Sequence, residues 1–367
     1  MFLVAGYRLE IHCRMPGCLN KGMAHNAPKA DSFDVVVIGA GPTGLACAID
    51  AQNAGFSVAL VDKGCLCNSL FHYPSGMTFF TTPELLEIGR IPFSSPNQKP
   101  NRQEALEYYR KVAEHYKLNV RQYQRVERVE GEAGDFRVHC TDRAGRPVLY
   151  SAKALVIATG YYDLPNYLNI PGEELSKVFH YYQDPHPYFD QDVLVIGGKN
   201  SAAIAALDLW RHGARVTLVH RGPGIHRHVK YWIMPDIENR IKHNQVHAYF
   251  NSTVESIAED TVTLRTPQGS KTIPNDFVFA LTGYHPDFTF LQSLGVRLEG
   301  PDQMPAYDPA TLESNVPGIY LAGVVVAGAR TNEIFIENGR FHGAQIAAGL
   351  HRVLAPGRRQ EPAGARP

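Results

Sequence analysis

Nowhere does this 367-residue chain approach the roughly 18 to 20 uncharged apolar residues that a membrane span requires, which excludes a helical membrane protein. It has no surplus of either charge. Its 36 basic and 36 acidic residues give a formal net charge of zero, so there is no electrostatic reason to expect nucleic acid or an anionic membrane as partner. Cysteine is scarce and scattered: Cys13, Cys18, Cys47, Cys65, Cys67 and Cys140 contain no Cys-x-x-Cys pair and no disulfide framework. His12, Cys13 and Cys18 lack the regular spacing of a zinc site, and no metal is expected. Residues 1–32 have no uninterrupted apolar core, so a secretory signal is not expected there. They read as a disordered extension or an over-long gene start, with Met23 as the alternative first residue. A 44% hydrophobic, 20% charged composition describes a globular protein, expected in the cytoplasm, with room for two domains of ordinary size.

What the chain does have is one motif written twice. Asp34-Val-Val-Val-Ile-Gly-Ala-Gly-Pro-Thr-Gly44 returns in altered form as Asp192-Val-Leu-Val-Ile-Gly-Gly-Lys-Asn-Ser-Ala202. Each reads as a buried strand running through a glycine turn into a helix N-terminus. In such a unit the glycines permit a tight turn and close backbone approach to a pyrophosphate, which rests on the helix end. Gly39, Gly41, Pro42, Thr43 and Gly44 form the first turn, and Gly197, Gly198, Lys199, Asn200, Ser201 and Ala202 the second. Lys199 stands where the middle glycine would be, blocking the closest approach but adding a cation. Twenty-three residues after Gly39 the next strand ends at Asp62, whereas 23 residues after Gly197 the matching strand ends at His220 and Arg221. A carboxylate there accepts hydrogen bonds from a ribose diol and repels a 2′-phosphate, while a guanidinium grips one. The first unit therefore reads as FAD-binding and the second as NADPH-binding.

The rest of the chain is organised around these units. Lys63 and Asn68, in the loop after Asp62, are further cofactor candidates. Residues 102–117 have helical spacing and a polar face, and residues 126–140 alternate as a hairpin would. Residues 154–160 form a buried strand ending at Thr159 and Gly160, small enough to touch a flavin or its diphosphate. Residues 166–190, rich in Pro, His and Tyr, read as the linker into the second unit. That unit closes with a second such strand, over 277–283, ending at Gly283. A further buried strand ends at Gly323. Residues 333–350 then read as one helix with Ile336, Phe341 and Ile346 in the core, its N-terminus near Asn332, Glu333 and Ile334 aimed at the flavin.

The expected fold class is α/β, with two Rossmann-like dinucleotide-binding domains, the FAD domain (33–168 and 285–352) interrupted by the NADPH domain (169–284). Residues 353–367 are expected to be a disordered tail. No residue is singled out as catalytic.

The segments 77–80, 86–89, 104–110, 158–162, 197–201, 282–287 and 332–343 resemble the YpdA-type flavoproteins, a family of bacillithiol disulfide reductases related to thioredoxin reductases of low molecular weight. The resemblance covers about residues 34–350, and Lys199 is normal within that family. It implies a thioredoxin reductase-like homodimer or higher homo-oligomer that binds FAD and NADPH. Electrons would pass from NADPH through the flavin to a small-molecule disulfide or a small redox protein. Two departures stand out. Reductase-type members carry cysteine inside the first glycine motif where this chain has Thr43, and a hydroxyl neither forms a disulfide nor ionises usefully near neutral pH. Residues 222–230, with His226, Arg227, His228 and Lys230, replace a Ser/Pro-rich stretch and add positive charge near the 2′-phosphate. Cys65 and Cys67 read as structural in preference to a strained redox pair. Two alternatives stay open: a ferredoxin- or flavodoxin-NADP reductase that needs no thiol, and a flavin-dependent monooxygenase.

Overall fold

The computed structural model describes residues 30–354. The metal-ligand question at His12, Cys13 and Cys18 lies outside them. So does most of the expected extension and tail, although two boundaries move. Asp31 and Ser32 already belong to β1 (Asp31–Ile38), and Val353 and Leu354 still belong to the last helix.

From β1 the chain enters α1 (Pro42–Asn53) and returns through β2 (Val58–Val61). After a short turn, α2 (Asn68–Phe71), comes an excursion over residues 72–100, with Pro83 opening a 3-10 turn as its fixed φ favours. Next is α3 (Arg102–His115), whose N-terminus is closed by a reciprocal Asn101–Glu104 capping box and whose inner face buries Tyr109. Then follow β3 (Val120–Arg121) and the meander β4 (Gln124–Glu132), β5 (Asp135–Asp142) and β6 (Pro147–Ile157). The second unit contains β7 (Val178–Phe179), β8 (Asp192–Ile196), α4 (Asn200–Arg211), β9 (Arg215–His220), α5 (Met234–Lys242) and β10 (His247–Phe250). Its last part is the three-stranded antiparallel layer β11 (Thr253–Ile257), β12 (Thr261–Thr266) and β13 (Gly269–Pro274), then β14 (Phe277–Ala280). The return carries α6 (Phe288–Ser293), the small pair β15 (Leu298–Glu299) and β16 (Met304–Pro305), β17 (Ile319–Leu321), α7 (Ile336–Gly339) and α8 (His342–Leu354).

Strand order in the first sheet is β3-β2-β1-β6-β5-β4, with β17 also on β6. One edge of β6 is shared. Its first half, up to Ala152, pairs antiparallel with β5, and Leu155 to Ile157 pair parallel with β17. The strand that returns after the second unit therefore completes the sheet beside the glycine turn. The second sheet, β10-β9-β8-β14-β7, is parallel throughout. Parallel strands covered on both faces read as continuous apolar runs, and Val35, Val36, Leu194 and Val195 are indeed fully buried.

Two expectations change. The linker over 166–190 contributes β7 to the edge of the second sheet; a two-residue strand has no period to read. The helix over 333–350 is broken. It starts at Ile336 and stops at Arg340, whose guanidinium donates to the carbonyls of Glu84 and Glu87, both at 2.8 Å, and α8 begins at His342. Ile346 is buried and Ile336 partly so, but Phe341, at the break, is 59% exposed and not core.

Candidate functional site

The first turn is shaped by three glycines in two different ways. Gly39 has φ +109°, and a Cβ on it would lie 2.3 Å from the Ala158 carbonyl oxygen; a Cβ on Gly44 would lie 2.0 Å from that of Gly39. These two serve strand-to-helix packing. A Cβ on Gly41 would meet nothing within 4 Å, so the middle glycine borders open space, and Gly160 (φ +71°) faces open space too. The first backbone bond of α1 is donated by Leu45 to Gly41, which leaves the N–H groups of Thr43 and Gly44 at the helix end. An open cradle beside free N–H groups fits a pyrophosphate.

Asp62 ends β2 beside this turn. Its two carboxylate oxygens accept from the backbone N–H of Ala40 (2.7 Å) and Gly64 (2.8 Å), leaving further lone pairs for a ribose diol. Burial raises its pKa, against the effect of those two N–H donors. The surrounding cleft is lined by Asp62, Lys63, Thr159 and Gly160, as expected, and also by Gln124, Arg125, Val126, Tyr161 and His285. Lys63 pairs with Asp163 at 2.9 Å. Asn68 faces its own loop, accepting from Cys65 N–H at 3.3 Å. Cys67 is buried and Cys65 partly so; both thiols are free, and burial raises both above their ordinary pKa, keeping them protonated near neutral pH.

Thr43 is brought together with the returning chain. Cβ atoms built on Gly323 and Gly339 would approach its Oγ1 to 3.3 and 3.0 Å, and Ile334 flanks Gly339. The Gly323 N–H donates to Nδ1 of His342 at 3.0 Å in a buried bond. Burial lowers the His342 pKa, keeping the imidazole a neutral acceptor. Asn332 and Glu333 stand exposed on the loop outside this cluster, Glu333 pairing with Arg330 at 3.7 Å.

In the second turn Gly197 has φ +146° and a Cβ would meet the Leu281 carbonyl at 2.6 Å. The first helical bond of α4 runs from Ala203 N–H to Lys199, so Asn200, Ser201 and Ala202 present free N–H groups; the Ala202 methyl itself is buried against Gly197. The His220 ring is half-buried between Gly198 and Gly222, where added Cβ atoms would come within 2.5 and 2.7 Å of it. Lys199 and Arg221 are exposed, and neither side chain bonds to another among the described residues.

The two units meet where Pro165 bridges Tyr284 and Asn166 donates to the Gly283 carbonyl at 2.9 Å. Tyr162 sits at this crossing, its ring 4.6 to 5.2 Å from those of Tyr73, Tyr181 and Tyr284. Among the described residues no group of three or more His, Cys, Asp or Glu side chains is placed to hold a metal, and no helix is long and apolar enough to cross a membrane.

Sequence reasoning missed His342 and the residues from β4. His342 sits within a helical stretch that looks like packing, and Gln124 to Val126 reach Asp62 only through the sheet.

A family model described as pyridine nucleotide-disulphide oxidoreductase matches residues 36–323. The chain is 45% identical over 314 residues to the bacilliredoxin reductase Bdr of Bacillus subtilis, covering 85% of this chain and 96% of that protein. It superimposes on the bacillithiol disulfide reductase Bdr (YpdA) of Bacillus cereus with a TM-score of 0.86 at 46% identity, over 88% of this chain and 99% of that one. For Bdr (YpdA) of Staphylococcus aureus the values are 0.84, 42%, 88% and 99%. A thioredoxin reductase of T. acidophilum, 24% identical over 88% and 98% of the two chains, shares the fold at a TM-score of 0.69.

Proposed function

The chain belongs to the pyridine nucleotide-disulphide oxidoreductase family, and from that premise we propose that it is an NADPH-dependent FAD oxidoreductase acting on a low-molecular-weight disulfide of the bacillithiol type. The observation that carries the reading is the pair of glycine turns whose next strands end in opposite character, Asp62 in the first unit against His220-Arg221 in the second. The net reaction takes NADPH, a proton and a disulfide to NADP⁺ and two thiols.

Bound FAD supplies the two-electron relay between nicotinamide and acceptor; the protein supplies position and electrostatics. Gly41 and the N–H groups of Thr43 and Gly44 would cradle the diphosphate, with Gly323 against Thr43, and Asp62 would anchor the adenosine ribose, with Lys63, Thr159 and Gly160 beside it. The free N–H groups of Asn200, Ser201 and Ala202, with Lys199, hold the second diphosphate, and Arg221 the 2′-phosphate. His342 fixes the Gly323 turn against Thr43. Cys65 and Cys67, raised in pKa by burial, and the thiol-free Thr43 support a reductive half-reaction that needs no protein thiol. The same reading takes residues 33–168 with 285–352 as the FAD domain, 169–284 as the NADPH domain, a homodimer or higher homo-oligomer as the assembly, and the cytoplasm as the compartment.

The test is stopped-flow reduction by NADPH followed by reoxidation with bacillithiol-type disulfides, ferredoxin, quinones and oxygen. The small disulfide is expected to reoxidise the flavin fastest. Fastest reoxidation by ferredoxin with none by any disulfide would point to the thiol-free NADP reductase instead, and by oxygen to a monooxygenase.

A further inference from the structure

Directly after Arg221 the chain folds back over the second glycine turn, bringing two more histidines to it. The His226 N–H donates to the Gly198 carbonyl at 2.8 Å. Asn200, at the start of α4, holds the far end of the loop, its Oδ1 accepting from Lys230 N–H at 2.9 Å and its Nδ2 donating to the His228 carbonyl at 3.4 Å. The rings of His226 and His228 meet edge to face at 4.8 Å, and the His228 N–H donates to His226 Nδ1 at 3.2 Å. His220 lies beneath, between Gly198 and Gly222.

We infer that His220 and His226, held together over the second glycine turn, take up protons when a nucleotide bearing a 2′-phosphate binds, so that this chain's preference for NADPH over NADH is proton-linked. The inference rests on the second unit being a nucleotide site. The charges that face these rings are all cationic: Lys199 at the head of α4, Arg221 at the end of β9, and Arg227 within the loop, while the Lys230 ammonium lies over the Phe80 ring instead. From the β10 side come only neutral groups, Asn251 and Ser252, whose N–H groups bond the Gly222 and His220 carbonyls. Burial first, and then these cations and the neighbouring histidines, hold His220 and His226 below the ordinary histidine pKa, so both are neutral at pH 7. A 2′-phosphate brings nearly two negative charges to the same place and reverses that balance. Binding then draws protons onto the imidazoles; NADH brings no such charge.

The test is calorimetric titration of the oxidised holoenzyme with NADP⁺ and with NAD⁺ at pH 7.5, in two buffers of different ionisation enthalpy, with affinity followed from pH 8 to pH 6. We expect proton uptake with NADP⁺ and none with NAD⁺. The NADP⁺ affinity should rise about tenfold or more between pH 8 and pH 6.5, then level as the phosphate itself protonates near pH 6. In a His226→Gln variant the uptake should fall and the pH dependence flatten. Tight NADP⁺ binding without proton uptake, or uptake unchanged in the variant, overturns the inference alone. Failure of NADP⁺ to bind at any pH overturns it together with the reading of the second unit.

Discussion

The sharpest test of the first site compares two glycines five residues or fewer from Gly39 that the structure uses in opposite ways. Gly41 has φ −76° and ψ 176°, open to any residue, and an added Cβ meets no protein atom within 4 Å. Gly41→Ala should therefore leave the apoprotein almost as stable as before, a small loss at the helix N-cap being offset by reduced freedom of the unfolded chain, each below about 1 kcal/mol. The methyl would stand where the diphosphate must approach. Losing two charge-assisted N–H contacts at about 1.5 to 3 kcal/mol each weakens FAD by about 3 to 6 kcal/mol, or about a hundredfold to ten-thousandfold. Gly44→Ala should do the reverse. Its Cβ would lie 2.0 Å from the Gly39 carbonyl oxygen, so backbone must move and the apoprotein itself should melt lower, by several degrees for a loss of about 2 kcal/mol. The assays are flavin absorbance of the purified proteins, FAD titration of each apoprotein, and thermal melts without FAD. A Gly41→Ala protein that holds FAD within threefold of wild type refutes the cradle, and one that melts as low as Gly44→Ala refutes the division of roles.

Arg221→Ala should raise KM for NADPH by about ten- to a hundredfold, one guanidinium–phosphate contact, and leave NADH nearly untouched; equal effects on both would make Arg221 structural. A Cys65→Ser/Cys67→Ser double variant should keep the wild-type rate of flavin reduction by NADPH, and dithionite titration should give about two electrons per flavin in both proteins; four in wild type and two in the variant would reveal a redox disulfide. Asp50, on α1 against Gly343 of α8, has its carboxyl pKa pushed by burial from 3.8 to about 6, with Arg90 opposing. The folded state thus keeps a proton that the unfolded chain releases between about pH 4 and 6, and stability falls as pH rises through that window by up to about 3 kcal/mol. Asp50→Asn should stabilise the protein at pH 8 and change little at pH 4, and denaturant melts showing equal stabilisation at both would remove the carboxylate as the cause.

Both glycine turns were legible because their signals are local: an apolar strand, glycines at fixed offsets, and one charged residue at the next strand end. The fold followed from those signals and from the resemblance they support. What escaped notice depends on distant chain. Gln124, Arg125 and Val126 line the cleft beside Asp62 because β2 lies next to β3 in the sheet and β4 follows directly, a neighbour relation that no local period encodes. The break at Arg340 does have a local signal in Asn338-Gly339, but what holds it is distant: two carbonyls more than 250 residues earlier capture the guanidinium. The same long-range logic completes the first site. Thr43 belongs to a motif recognisable from residues 34–44, yet its walls are Gly323 and Gly339, and Gly323 is fixed by His342. Those residues arrive only after the whole second unit, by way of β17, which takes the half-edge of β6 that β5 leaves free. The turn that first identifies the chain is therefore finished by its last elements, so a motif can announce a site hundreds of residues before the chain that closes it.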